Sequence, residues 1–214
     1  MNKQIKIIPA VLAHNKSEFV TQWNKVSPFF SYLQIDIGDG QFVKTTTPFK
    51  PEHIRQFVKN HELEIHLMVK NVAKYLAEWT KLAQVKKIIW HYEAESDNKA
   101  IATLADFLKQ QKIQAGLALN LDTPLSVLKN NISKINTVML MGVYPGKQGQ
   151  KFEEKVLAKI KNLRRLYPKI NIEIDGGVDA ESFQQIKNAG ANLMVIGSYL
   201  QKSKNIKLDL KHLK

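Results

Sequence analysis

The sequence predicts a (β/α)8 TIM barrel formed by a single domain, residues 1–214, and three observations predict it. Eight short β-type runs alternate with amphipathic helical segments over the whole chain. Several of the runs, such as IIPAVLA, VMLM and LMVIG, are almost continuously apolar, as parallel strands buried on both faces must be. The first run is not followed by G-x-G-x-x-G, the phosphate loop that an open doubly wound sheet would carry there.

The expected strands cover residues 5–12, 32–37, 64–68, 87–91, 115–120, 137–143, 171–175 and 193–197. Apolar residues at helical spacing fall between them: Phe19, Trp23 and Val26; Ile54, Phe57 and Val58; Tyr75, Leu76, Trp79 and Leu82; Ile101, Leu104, Ala105 and Leu108. Val156, Ile160 and Leu163, then Phe183, Ile186 and Ala189, continue the pattern. No linker or low-complexity stretch divides the chain, and its 214 residues are enough for one barrel.

Composition excludes several functions. There is no Cys, so disulfides, thiolate nucleophiles and zinc–thiolate sites are ruled out. No apolar run approaches the roughly 20 residues that span a bilayer. The start, MNKQIKIIPAVLAHNKSE, reads as a first strand rather than a signal peptide, so the cytoplasm is the expected location and no membrane partner is expected. The net charge is +13, but its lysines are spread from Lys3 to Lys214 without an Arg–aromatic stacking platform. A Lys-rich solvated exterior accounts for the charge better than a nucleic-acid partner does.

Chemistry in such a barrel belongs to the C-terminal ends of the strands. Residues two apart share a strand face, so Gln34 and Asp36 point one way, as do His66 and Met68. Asp36, His66 and Asp175 close strands two, three and seven. Together they suit a divalent ion such as Zn²⁺, Mn²⁺ or Fe²⁺, or acid–base work by a carboxylate pair. Either aspartate alone would be an ordinary Asp-Gly turn; three such residues at strand ends favour chemistry. Gly146 and Gly149, Gly176 and Gly177, and Gly197 with Ser198 follow strands six, seven and eight, where this fold recurrently binds phosphate. A single glycine there would signify only turn geometry. His91 and Glu93, at the end of strand four, are expected to serve packing and loop hydrogen bonds, and Trp90 to face the helix layer.

These segments resemble the ribulose-phosphate 3-epimerase family from Ile8 to Ser198. The matching stretches are PAVLA (9–13), QIDIGDGQFV (34–43), HLMV (66–69), HYEA (91–94), GLALNLDTP (116–124), MGVYPGKQGQKF (141–152), EIDGGV (173–178) and GS (197–198). The resemblance implies interconversion of D-ribulose 5-phosphate and D-xylulose 5-phosphate through a metal-stabilised enediolate. By position, Asp36 and Asp175 become the acid–base pair and metal ligands. His66 becomes a metal ligand and substrate contact. Gly146, Lys147, Gln148, Gly149, Gly176, Gly177, Gly197 and Ser198 become the substrate and phosphate loops, while Ala10, Met68 and Met141 line the pocket. A homo-oligomer is implied as well.

The chain also departs from the family pattern. Gln34 stands where a fourth metal ligand, His, is usual, which makes the metal weakly held or missing. Ala10 replaces Ser and Gly38 replaces Met. PGKQGQ replaces PGFGGQ, and QFVKT replaces HFVPN. Two alternatives to the pentose 3-epimerase therefore stand beside it: a catalytically impaired phosphosugar-binding paralogue, and a 3-epimerase of another ketose phosphate such as a hexulose 6-phosphate.

Overall fold

The structure is a computed structural model that describes residues 5–146 and 149–213. Eight parallel strands close into a barrel in sequence order: β1 (Lys6–Val11), β2 (Tyr32–Gly38), β3 (Glu62–Met68), β4 (Val85–His91), β5 (Gln114–Leu119), β6 (Thr137–Met141), β7 (Asn171–Asp175) and β8 (Leu193–Ile196). All eight expected strands form, with ends displaced by a few residues at most. Closure pairs β1 with β8, from Lys6 against Leu193 to Pro9 against Ile196, and leaves no free sheet edge.

The helices are α1 (Lys16–Val26), α2 (Pro51–Ile54), α3 (Val72–Trp79), α4 (Asn98–Gln110), α5 (Lys155–Leu166), α6 (Ala180–Ala189), α7 (Ser198–Lys202) and α8 (Ile206–His212). Local chemistry starts them. Asn15, Asn71, Asp97, Asp179 and Asn205 each accept a backbone N–H of the first turn, satisfying donors that a helix leaves free. The β5–β6 connection is different: it has only 3₁₀ turns, Leu125–Leu128 and Ile132–Lys134, where no helical apolar repeat was legible.

Strand alternation sorts the side chains into two cores. Trp90, Leu117, Leu140, Ile174 and Met194 face outward into the cluster that holds Trp23, Trp79, Leu108, Ile160 and Ile186 from the helices. Ile8, Ala10, Ile89, Ala118, Met139, Met141 and Val195 fill the barrel itself. Gly116 on β5 makes room there, since a Cβ would lie 2.7 Å from Ile89 Cγ1. Inward polar residues form two further layers, one at each end. Their positions follow from strand register: Asp36 lies opposite His66, and Met141 opposite Asp175.

Candidate active site at the barrel mouth

The residues expected to carry chemistry converge at the C-terminal end of the barrel. His66 Nδ1 lies 3.0 Å from Asp36 Oδ1 and 3.1 Å from Asp175 Oδ2. Gln34 Nε2 donates to the same two oxygens, at 2.7 and 2.9 Å. The strands impose this convergence. Gln34 and Asp36 are two apart on β2, His66 pairs with Asp36 across to β3, and Asp175 reaches in from β7 on the other side.

The electrostatics are those of a closed polar pocket. Burial raises the Asp36 carboxyl to about 6; the hydrogen bond from His66 opposes this, while the nearby Asp175 charge adds to it. Burial also disfavours a charged His66, yet its hydrogen bonds to Asp175 and Asp36 prevail and hold it protonated up to about 10. The imidazolium therefore takes the cationic place between the two carboxylates.

A narrow cleft, open to solvent, sits on this cluster. Asp36, His66 and Asp175 line its floor, and Ala10, Met68 and Met141 line its walls. Gly146, Gly149, Gly176, Gly177, Gly197 and Ser198 line its rim. Lys147 and Gln148 lie outside the described residues. Two rim glycines are required by packing. Gly176 and Gly177 have φ of +106° and +70°, and a Cβ would lie 2.4 Å from Val143 Cγ2 and 2.6 Å from the Phe152 backbone, respectively.

The donor set fits a divalent cation. One ligand atom from each of Asp36, His66 and Asp175 lies within 4.8 Å of the others. Gln34 Oε1 is buried without a hydrogen-bond partner. A half-turn of that amide would exchange its NH₂ for the oxygen beside the carboxylates, which suits a cation held between them. This gives three oxygen donors and one imidazole, a harder set than a two-histidine site.

The sequence reading missed one contact. His91, expected only to pack, lies inside the barrel with its Nε2 2.9 Å from His66 Nε2. Strand alternation carried the signal, because His91 shares the inward face with Ile89. The expectation for Trp90 holds: it faces the outer core.

The fold and the site define a TIM barrel with a carboxylate–histidine centre at its mouth, and the comparisons narrow this further. The profile of the Ribulose-phosphate 3 epimerase family matches residues 6–201, and the chain belongs to that family. It is 31% identical over 200 residues to the ribulose-phosphate 3-epimerase of Schizosaccharomyces pombe, covering 91% of this chain and 86% of that protein. The Bacillus subtilis ribulose-phosphate 3-epimerase is 33% identical over 205 residues, 91% of each chain, and the Helicobacter pylori (strain ATCC 700392 / 26695) enzyme 31% over 215, covering 98% and 96%. Among solved structures, 3-keto-L-gulonate-6-phosphate decarboxylase from Vibrio cholerae superposes with a TM-score of 0.73 at 15% identity, covering 99% of this chain and 95% of that one. A mutant tryptophan synthase α-subunit from Pyrococcus furiosus also superposes at 0.73, at 17% identity, covering 100% and 99%. These two likenesses concern the fold alone. No helix among the described residues is long and apolar enough to cross a membrane.

Proposed function

We propose that this chain is a ribulose-phosphate 3-epimerase that inverts C3 of D-ribulose 5-phosphate to give D-xylulose 5-phosphate, with Asp36 and Asp175 as its acid–base pair. One observation carries the assignment: two carboxylates approach a single imidazole from β2 and from β7, at the floor of a cleft rimmed by glycine loops. Inversion needs one group to remove the C3 proton from one face and another to deliver a proton to the opposite face. Two carboxylates from separate strands, β2 and β7, can do this. Burial raises the Asp36 carboxyl to about 6, nearer neutral than an ordinary carboxyl and so better matched to proton transfer.

A divalent metal, when bound by Asp36, His66, Asp175 and the Gln34 amide oxygen, would supply Lewis-acid stabilisation of the negative charge that develops on the sugar oxygens. The harder donor set supports Mn²⁺ or Fe²⁺ over Zn²⁺. Ala10, Met68 and Met141 give the sugar an apolar wall that keeps bulk water from the reacting carbon. Gly146, Gly149, Gly176, Gly177, Gly197 and Ser198, which line the same cleft, would hold the phosphate by backbone N–H groups. Homo-oligomerisation and a cytoplasmic location belong to the same reading.

The test is turnover in deuterated water with Mn²⁺, Fe²⁺ or Zn²⁺ added in turn. Conversion of ribulose 5-phosphate to xylulose 5-phosphate with solvent deuterium at C3 is expected. Tight binding of the sugar phosphate with neither conversion nor exchange, whatever the metal, would overturn catalysis and leave only a phosphosugar-binding role.

A further inference from the structure

We infer that His91 and Glu93 form a positioning relay that fixes the proton of His66 on Nε2 and thereby keeps its Nδ1 directed at the space between Asp36 and Asp175. This rests on the reading of His66 as a metal ligand. His91 ends β4 and is fully buried; its ring lies 5.0 Å from the His66 ring, centroid to centroid, at 27°. The two Nε2 atoms are 2.9 Å apart, so one carries a proton and the other accepts it.

The direction of that bond is set at both ends. His66 Nδ1 faces two carboxylates. When a metal is bound, the Nδ1 lone pair is the ligand, and the single ring proton must lie on Nε2. In that state His66 Nε2–H is the donor and His91 Nε2 the acceptor. His91 then carries its proton on Nδ1, which faces Glu93 Oε2 at 3.4 Å, an electrostatic contact longer than a hydrogen bond.

Glu93 is held in turn. Its other oxygen, Oε1, accepts the Asn120 backbone N–H at 2.9 Å and the Thr123 hydroxyl, which leaves Oε2 turned to His91. Phe42, from the loop after β2, packs on the His91 ring with centroids 4.9 Å apart. The chain is thus Thr123 and Asn120 to Glu93, Glu93 to His91, and His91 to His66. A partner of this kind fixes the tautomer of a ligating histidine and raises its basicity. The effect counts for more here, because Gln34 leaves His66 as the sole imidazole among the candidate ligands.

Long-range ¹H–¹⁵N correlation spectra of the histidine-labelled protein loaded with diamagnetic Zn²⁺ test the relay directly. His91 is expected as the neutral Nδ1–H tautomer, the minor form of free imidazole; an Nε2–H tautomer of His91 would overturn the relay while leaving the ligand reading intact. This readout needs no turnover. A protein that bound no divalent metal would overturn the ligand reading, and the relay with it. Metal titrations supply the second arm. His91→Leu removes the acceptor and is expected to weaken Mn²⁺ binding by about 10–100-fold. His91→Gln, whose amide oxygen can accept the same proton, should restore most of that loss. Glu93→Gln, at a partly exposed position that tolerates change, should weaken binding by a smaller factor. Equal Mn²⁺ affinity in wild type, His91→Leu and Glu93→Gln would overturn the relay, and the Glu93 variant decides the matter should His91→Leu fail to fold.

Discussion

The two ends of the barrel interior hold nearly the same constellation and use it differently. At the mouth, Asp36 and Asp175 flank His66 Nδ1 at 3.0 and 3.1 Å. At the N-terminal end, Glu64 and Glu173 flank Lys87 Nζ, both at 2.7 Å. The same two strands supply both sites, since Glu64 and His66 share β3 and Glu173 and Asp175 share β7. The lower cluster is sealed. Glu64, Lys87 and Glu173 are almost wholly buried, and Tyr32 adds its hydroxyl to Glu64 at 3.1 Å. Although burial opposes charge on both groups, the two carboxyls raise the Lys87 pKa and Lys87 lowers that of Glu64. Burial and the Glu64 charge raise Glu173, so it keeps its proton. One cation, one anion and one neutral acid make a balanced core. The upper cluster opens onto the cleft, and it offers Gln34 Oε1 without a partner and an imidazole in place of the ammonium. Lysine fills its place permanently with a fixed point charge. Histidine can give up its proton and become a ligand.

Substitutions at each end separate the two roles. The largest effect is expected for Asp175→Asn, which keeps the shape of the mouth but removes a proton-transfer group. Turnover should fall by about 10²–10⁴-fold with the denaturant midpoint little changed; near-normal turnover would remove Asp175 from the acid–base pair. Lys87→Met strands two buried carboxyls. Chemical denaturation should show a loss of about 3–5 kcal/mol, with metal affinity of the folded fraction unaltered. A parallel fall in metal affinity would show that the two ends are coupled. Gln34→His is expected to raise divalent-metal affinity by isothermal titration, more for Zn²⁺ than for Mn²⁺, because it exchanges a hard oxygen for an imidazole.

The smallest effect is a pH dependence. Burial opposes ionisation of Glu93, but its contacts with His91, Thr123 and Asn120 prevail and depress it from 4.5 to about 2. The unfolded chain therefore binds the proton first as pH falls. The stability that Glu93 contributes is present above about 4.5 and is lost as pH drops toward about 2. Thermal unfolding across this range should be flatter for Glu93→Gln than for wild type.

Much of this was legible without coordinates. Strand periodicity and apolar runs located all eight strands, and the rule that chemistry sits at their C-terminal ends selected Asp36, His66 and Asp175. The glycines after β6, β7 and β8 marked the rim for the same reason. The lower cluster was not legible. Glu64, Lys87 and Glu173 lie on three strands at separations of 23 and 86 residues, and each looks like an ordinary surface charge until closure turns it inward. Nor could the sequence show His91 against His66, because which inward side chains meet depends on barrel register.

By itself, then, the sequence determined the order of elements, the direction each strand side chain faces and the residue types offered at the mouth. These are local properties, set by backbone periodicity and side-chain chemistry. Only the closed barrel decided which of them touch: that Gln34 bridges two carboxylates, that one imidazole stands behind another, and that a lysine neutralises the far end. Those contacts join residues from non-adjacent strands, and their distances follow from strand tilt and register once the eighth strand meets the first.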